Sequence, residues 1–331
     1  MTSQPTVSVV IPTRNRPGLL TTHALPSALS QRGVDVEVVV VDDGSDEDSR
    51  RALEELANGR VRVVRHEVRV GQARARNSGI AAARGEWIAF LDDDDLWSPD
   101  KLRDQLDAAE AAGAEFVYTG VVMVDEGREG EVITVLPATP PDGLLELLLV
   151  TNVIHAGAST VLARASAVRE VGGFDENLAQ LTDWDLWIRL AAHGPAAACP
   201  ATLVAYCLHD SNQMLVEPPD VSEELDYLIA KQRAENREMN PDRAHYDRWL
   251  AVGHRRAGRR REAARIYLRG GLRNRRVGYL ARGIGLMIGE PPMRVGKRMI
   301  SLLRGQPSSR QAPPPPPPWL VELRGRGTAS A

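Results

Sequence analysis

Trp87-Ile88-Ala89-Phe90-Leu91-Asp92-Asp93-Asp94-Asp95 is the stretch that decides the fold. Five apolar residues in succession read as a strand buried on both faces, the kind found in parallel sheets covered by helices. The run stops at four consecutive carboxylates, which repel one another. A divalent cation is a reason to place them together. Mg2+ and Mn2+ take hard oxygen ligands, usually one or two from protein, with phosphate and water completing the shell. Asp92 and Asp94 project similarly from extended backbone, so a metal there can bridge to a ligand diphosphate. The competing reading is a solvated acidic turn, with Asp95 capping the next helix.

Outward from this stretch the same pattern repeats. Val7–Ile11 is a β-branched apolar run ending at Pro12, and Val36–Val41 is a second, ending in Asp42-Asp43-Gly44-Ser45. Val61–Val64 and Phe116–Val124 read as further strands. Helices fall between them: one over Gly18–Gln31, and one after Ser45, which can cap it with Asp48 three residues on. A small-residue helix runs from Gly71 to Ala83, and Pro99 opens another through Ala112. The fold class is therefore α/β, with a mostly parallel, Rossmann-like sheet and helices on both faces. In such sheets ligands bind at the carboxyl ends of the strands, and both aspartate clusters occupy that position.

Residues 131–210 are less regular. Trp184, Trp187, Ile188 and Ala191 recur at amphipathic-helix spacing. From about Val221 the chain turns helical and rich in arginine. The expected organisation is a catalytic domain over 1–220 and a basic helical region over 221–305. A flexible tail over 306–331 carries six consecutive prolines, Pro313–Pro318.

Charge divides the same way. The formal net charge of the 331 residues is −3. Residues 1–230 hold 18 basic and 37 acidic side chains, a net of −19, and residues 231–331 hold 23 and 7, a net of +16. Two cysteines, Cys199 and Cys207, are too few for a disulfide framework and lack metal-ligand spacing, which suits a reducing compartment. No apolar stretch approaches the ~18 residues of a spanning helix, and Val7–Ile11 is too short for a signal-peptide core. The expected location is cytoplasmic, with peripheral contact to the inner face of the cell membrane as a further reading.

The remaining polar clusters each carry two readings. Asp42 and Asp43 can accept hydrogen bonds from a base or ribose, or form an ordinary strand-to-helix turn. Arg74, Arg76 and Asn77 open a helix, where guanidinium groups suit an anion; an ordinary surface helix would look the same. Asp183, in Thr182-Asp183-Trp184-Asp185, can act as a general base, or it and Thr182 can cap the helix. His209 suits a metal or phosphate, or a structural place. No Gly-x-Gly-x-x-Gly or Walker loop is present, which disfavours nicotinamide and P-loop chemistry.

Taken in order, these blocks resemble family 2 glycosyltransferases. They are Val7-Ser8-Val9-Val10-Ile11-Pro12-Thr13-Arg14-Asn15, Val41-Asp42-Asp43-Gly44-Ser45, Ala75-Arg76-Asn77-Ser78-Gly79-Ile80 and Gly85–Asp95. Gly172-Gly173-Phe174-Asp175-Glu176 and Asp183-Trp184-Asp185-Leu186-Trp187 extend the match to about residues 5–212. The resemblance implies a GT-A fold, a nucleotide-diphosphate-sugar donor, and an inverting transfer to a hydroxyl that depends on Mn2+ or Mg2+. It implies a nucleotide-sugar site of Pro12, Thr13, Arg14, Asn15, Asp42, Asp43, Arg74, Arg76, Asn77, Asp92 and Asp93. Pro12 and Asp43 would lie at the base, either Arg74 or Arg76 at the diphosphate, and Asp92 or Asp93 at the ribose or metal waters. Asp94 would be the direct metal ligand, with Asp92 beside it; His209 is added to the metal set from its residue type, not from the resemblance. Asp183 matches the family's base, although Thr182 stands where the family usually has Glu.

The processive members' Gln-x-x-Arg-Trp element and membrane spans are missing, which favours addition of one sugar to a lipid-linked or other cell-envelope glycan. Ten arginines within His254–Arg276, next to apolar Tyr279–Ile288, suit either an anionic membrane surface or packing on the catalytic domain. Nucleic acid is disfavoured because aromatics are not interleaved. A catalytically silent nucleotide-sugar scaffold and a sugar nucleotidyltransferase are the competing functions. Asp183 argues against the first, and the glycine-poor Pro12–Arg16 against the second.

Overall fold

The structure is a computed structural model. It describes residues 5–128, 130–209, 221–256, 258–288 and 315–327. The chain divides into one unit of residues 1–208 with 314–331, and a second of residues 209–313.

The first unit is built on nine strands in the order β3-β2-β1-β4-β8-β6-β9-β5, with β7 paired to β6. They are β1 (Val7–Thr13), β2 (Val36–Asp43), β3 (Val61–His66), β4 (Trp87–Phe90), β5 (Leu96–Trp97), β6 (Phe116–Asp125), β7 (Glu131–Leu136), β8 (Val161–Arg164) and β9 (Ala196–Leu208). β1, β2, β3 and β4 pair in parallel. β8 runs antiparallel between β4 and β6, so β6, and β9 parallel to it, point the same way as β1. Six of the nine strands thus share one direction, the mostly parallel sheet expected. Every residue of β1 and β2 is buried, as continuous Val-rich runs require when helices cover both faces. Each fully buried Val or Leu contributes roughly 1.5–3 kcal/mol of transfer free energy.

Helices α3 (Glu47–Glu54), α4 (Gln72–Ala82) and α5 (Lys101–Ala112) follow the sequence reading closely. Gly79 lets α4 lie on the sheet: a Cβ there would stand 2.3 Å from Val10 Cγ1. Two local expectations change. The single helix over Gly18–Gln31 is two, α1 (Pro17–Thr22) and α2 (Ala24–Leu29), broken at His23 with φ −118° and ψ −82°. Pro26, which has no N–H to give a continuous helix, accounts for the break. α3 is capped by Asp46, which accepts from Ser49 N at 2.9 Å, and not by Ser45.

The irregular region holds α6 (Leu144–Leu148), α7 (Ala165–Glu170) and α8 (Thr182–His193) besides β7, β8 and β9. β9 contains Pro200, which cannot donate to a ladder. The pairing to β6 skips there, from Thr119↔Cys199 to Gly120↔Thr202, a bulge that accommodates the proline.

The second unit comprises α9 (Ser222–Ala234), α10 (Arg243–Arg256), α11 (Arg260–Arg273) and α12 (Val277–Met287). Its core joins Ala244, Ala251, Ala263, Ala264, Tyr267, Tyr279 and Leu286. Tyr267 and Tyr279 meet edge to face at 5.6 Å between centroids. Val277, Ile284, Met287 and Ile288 form an outward apolar stripe on and just after α12, each more than half exposed.

Residues 306–314 of the proline-rich segment lie outside the described residues. The segment read as a flexible tail then carries a helix, α13 (Pro318–Gly327), in the first unit. Trp319 Nε1 donates to Thr202 O at 2.8 Å, and Leu320 is buried beside Val122, Val124 and Ala205.

Candidate active site

The carboxyl ends of β1, β2 and β4 carry the polar residues the sequence singled out. After β4 the acidic loop alternates between the site and the core. Asp93 and Asp95 turn inward and are fully buried, Asp94 is nearly so, and Asp92 is partly exposed. Asp95 does not cap a helix. It accepts Ser159 Oγ at 2.6 Å and Cys207 N at 3.2 Å. Burial pushes its carboxyl well above the usual range, with Asp94 and Asp92 adding to the effect.

Asp93 accepts Thr13 Oγ1 at 2.7 Å. Burial pushes its carboxyl up to about 7, Arg16 and Thr13 opposing the shift and Asp94 and Asp92 adding to it. A carboxyl raised in the folded state favours folding below its unfolded pKa and loses that contribution as pH rises toward 7. At neutral pH the loop therefore gains from a nearby cation. Arg16 supplies one, 2.6 Å from Asp93 Oδ1 and 3.0 Å from Asp94 Oδ2. Burial disfavours the Arg16 charge, but the aspartates outweigh it and its pKa is raised.

The second cation is Arg76 in α4. Its side chain is 1% exposed, and it donates to Asp183 Oδ1 at 2.8 Å and to Asp92 Oδ1 at 2.6 Å. Phe174 lies 5.1 Å from its guanidinium carbon. Burial opposes the Arg76 charge, and Asp183 and Asp92 more than restore it. Asp183 sits in the first turn of α8, whose N-cap is Leu181, so neither Thr182 nor Asp183 caps that helix. Burial raises the Asp183 carboxyl, Arg76 opposes this, and Asp92 adds to it. Such a carboxylate is a stronger base than an exposed aspartate.

Gly157 lies against this pair. A Cβ there would stand 2.8 Å from Asp183 Oδ2 and 4.0 Å from Asp92 Oδ2, and its φ of +56° is in the left-handed region that favours glycine.

The other singled-out residues hold the frame. Asp43 accepts Val70 N at 2.6 Å and Gly71 N at 3.1 Å, and Asp42 accepts Ser45 N at 2.9 Å. Pro12 is buried in β1 and Arg14 is exposed. Asn15 receives Asp46 N at 2.8 Å and donates its own N–H to Ser45 Oγ. Arg74 pairs with Glu176 at 2.8 Å, and Asn77 bonds both N and O of Phe174. Arg74 and Asn77 thus brace residues 174–176, while Arg76 faces the carboxylates. His209 directly follows β9 and is partly buried.

The hard oxygens of Asp92 and Asp94 fit Mg2+ or Mn2+ by donor type, and the guanidinium at Asp94 marks a place that favours positive charge. Among the described residues, three His, Cys, Asp or Glu ligand atoms lie within 4.8 Å of one another elsewhere, at His23, Glu126 and Cys207.

Three residues at the centre of the site escaped the sequence reading. Arg16 follows the Pro12–Asn15 block directly and could have been included as the next cation. Gly157 and Ser159 lie in the irregular region, where no spacing marks them.

The family model for Glycosyl transferase family 2 matches residues 8–172. Over 107 residues the chain is 45% identical to Succinoglycan biosynthesis protein ExoO of Rhizobium meliloti, covering 32% of this chain and 31% of that one. Over 170 residues it is 27% identical to UDP-Glc:alpha-D-GlcNAc-diphosphoundecaprenol beta-1,3-glucosyltransferase WfaP of Escherichia coli, covering 51% and 63%. It thus spans less than two thirds of either relative. Among solved structures it resembles mannosyltransferase PcManGT from Pyrobaculum calidifontis in complex with GDP-Man and Mn2+. The TM-score is 0.52 at 17% identity, covering 99% of this chain and 88% of that one. The fold is of the GT-A type.

Proposed function

Because the chain belongs to glycosyl transferase family 2, we propose that it moves one sugar from a nucleotide-diphosphate-sugar to an acceptor hydroxyl, with inversion, in cell-envelope polysaccharide synthesis. The observation that carries this reading is the convergence of Asp183 and Asp92 on Arg76 beside Gly157. It supports a base and a cation side by side at the carboxyl edge of one sheet.

In this reading Pro12, Thr13, Arg14, Asn15, Asp42 and Asp43 frame the nucleoside side of the site. Arg74, Arg76, Asn77, Asp92 and Asp93 order the diphosphate side. Asp94 with Asp92 would hold Mn2+ or Mg2+, and His209, expected as a third ligand, is not gathered with them within 4.8 Å. When bound, the metal neutralises charge that develops on the departing nucleoside diphosphate. Asp183 takes the acceptor proton at Oδ2 while the acceptor oxygen attacks the anomeric carbon from the face opposite the leaving group. One displacement inverts the configuration, and no covalent enzyme intermediate forms. Arg76 keeps the Asp183 carboxylate aimed and ionised.

The donor type is supported by the GDP-Man bound to the similar mannosyltransferase, and a lipid-linked acceptor by the name of the E. coli relative. The test is transfer of labelled sugar from UDP- and GDP-sugars to polyprenyl-diphosphate acceptors with and without Mn2+. Metal-dependent label in the lipid fraction supports the proposal, and its absence with every donor and acceptor pair counts against it.

Gly157→Ala places a methyl group where the acceptor oxygen would approach Asp183. Its expected effect is a loss of about 10²-fold in kcat/KM for the acceptor, the scale of a 1 Å misplacement. Steady-state kinetics at saturating donor check this, and unchanged kinetics would put the acceptor elsewhere.

No helix among the described residues is long and apolar enough to cross a membrane. Peripheral contact on the inner face fits a lipid-linked acceptor, and α12 supports it. Val277, Ile284, Met287 and Ile288 face outward next to exposed Arg275 and Arg276. Apolar insertion and roughly 1 kcal/mol per basic residue near an anionic surface would act together. The protein should float with vesicles containing anionic lipid and not with neutral ones. Ile284→Asp combined with Met287→Asp should abolish flotation.

A further inference from the structure

We propose that His23, Glu126 and Cys207 form a zinc site separate from the acidic loop, independent of the transfer reaction. The three side chains come from distant parts of the chain. His23 stands at the break between α1 and α2, Glu126 directly follows β6, and Cys207 lies near the end of β9. Their ligand atoms all lie within 4.8 Å of one another, and His23 Nε2 is 2.8 Å from Glu126 Oε1. Zinc–ligand bonds of about 2.0–2.3 Å in a tetrahedral arrangement separate ligand atoms by about 3.4–3.8 Å. The present separations, 2.8 Å between His23 and Glu126 and no more than 4.8 Å for any pair, are close to that spacing.

The ring is also oriented for the task. Thr22 Oγ1 lies 2.8 Å from His23 Nδ1, the outer-shell contact that fixes which imidazole nitrogen faces a metal. Cys207 is fully buried, and His23 and Glu126 are 17% and 25% exposed. The site is therefore shielded on one side and reachable from the other.

The donor set decides the metal. One thiolate, one imidazole and one carboxylate suit Zn2+, whereas Mg2+ and Mn2+ prefer oxygen. On binding, the Cys207 thiol releases its proton to solvent and the sulfur bonds the metal. A water completes the fourth position. Bound there, zinc would tie the end of β6 and the end of β9 to the α1–α2 junction. Cys207 N also donates to Asp95, so the tie lies directly behind the acidic loop.

The experiment uses the full chain, stripped with chelator and titrated with Zn2+ or Co2+ alone in excess Mg2+. The expected result is one tightly held ion per chain, a cobalt–thiolate charge-transfer band, and a rise in melting temperature with Zn2+. Cys207→Ser and, separately, His23→Gln should remove the band and the thermal rise. Thr22→Val, which keeps all three ligands, should weaken binding about tenfold or more, as outer-shell changes do. Asp94→Asn should leave the band intact. If Cys207→Ser fails to fold, His23→Gln and Thr22→Val still decide. No stoichiometric zinc, a band that survives both His23→Gln and Cys207→Ser, or a band lost in Asp94→Asn would overturn the assignment.

Discussion

Arg76→Met is expected to lower the melting temperature by about 6–12 °C, the most severe single change in stability at this site. Removing one partner of a buried ion pair costs about 3–5 kcal/mol. The lower end applies here, because Asp92 and Asp183 retain 22% and 17% side-chain exposure while Arg76 has 1%. In a unit of this size roughly 3 kcal/mol corresponds to about 6–12 °C. Met restores much of the apolar stem, so the loss isolates the charge. Two carboxylates then face each other without a cation, and one takes up a proton at higher pH. The acid limb of the activity profile should accordingly move to higher pH, since Arg76, ahead of Thr182, opposes the rise at Asp183. Arg76→Lys should recover only part of both effects, because an ammonium lacks the planar fork that reaches Asp92 and Asp183 together. Calorimetry and a pH–rate profile check the two limbs separately. An unchanged melting temperature would mean that the pair contributes little.

Asp183→Asn is expected to reduce kcat by about 10²–10⁴-fold, the range of a positioned general base. The amide keeps the shape and can still accept from Arg76 Nη1, so the KM for donor should change little. Its amide cannot take a proton from the acceptor. The wild-type enzyme should lose activity as pH falls through the Asp183 pKa, which burial places above that of an exposed aspartate, and the residual activity of Asp183→Asn should not show that limb. Full activity in Asp183→Asn with both substrates saturating would remove Asp183 from the mechanism.

The parallel half of the sheet was legible because burial on both faces leaves a plain signature. Trp87–Leu91 is an unbroken apolar run, Val7–Ile11 and Val36–Val41 are interrupted only by Ser8 and Glu37, and each became a strand. β8 and β9 were not legible. β8 has four residues and owes its place to antiparallel neighbours β4 and β6. β9 hides behind Pro200, which reads as a strand breaker until the bulge against β6 is seen.

For the candidate site, residue types at strand ends pointed to the acidic loop, Arg76 and Asp183. They could not say that Arg76 would lie between Asp92 and Asp183, because that contact joins residues 107 positions apart. Nor could they separate Arg76 from Arg74, two positions away on the same helix. One faces the carboxylates and the other pairs with Glu176, a difference made by the rotation of α4 on the sheet. His23, Glu126 and Cys207 carry no shared spacing at all, and only the packed strand ends bring them together.

Inverting transfer from a nucleotide sugar at the site around Asp183 leaves its mark on the product. The most direct measurement is proton NMR of the reaction of the full chain with a matched donor and acceptor in Mn2+, read before any anomeric equilibration. The expected product has a new glycosidic bond of the anomeric configuration opposite to that of the donor, formed with release of nucleoside diphosphate. A product that keeps the donor configuration, or release of nucleoside monophosphate, would contradict it.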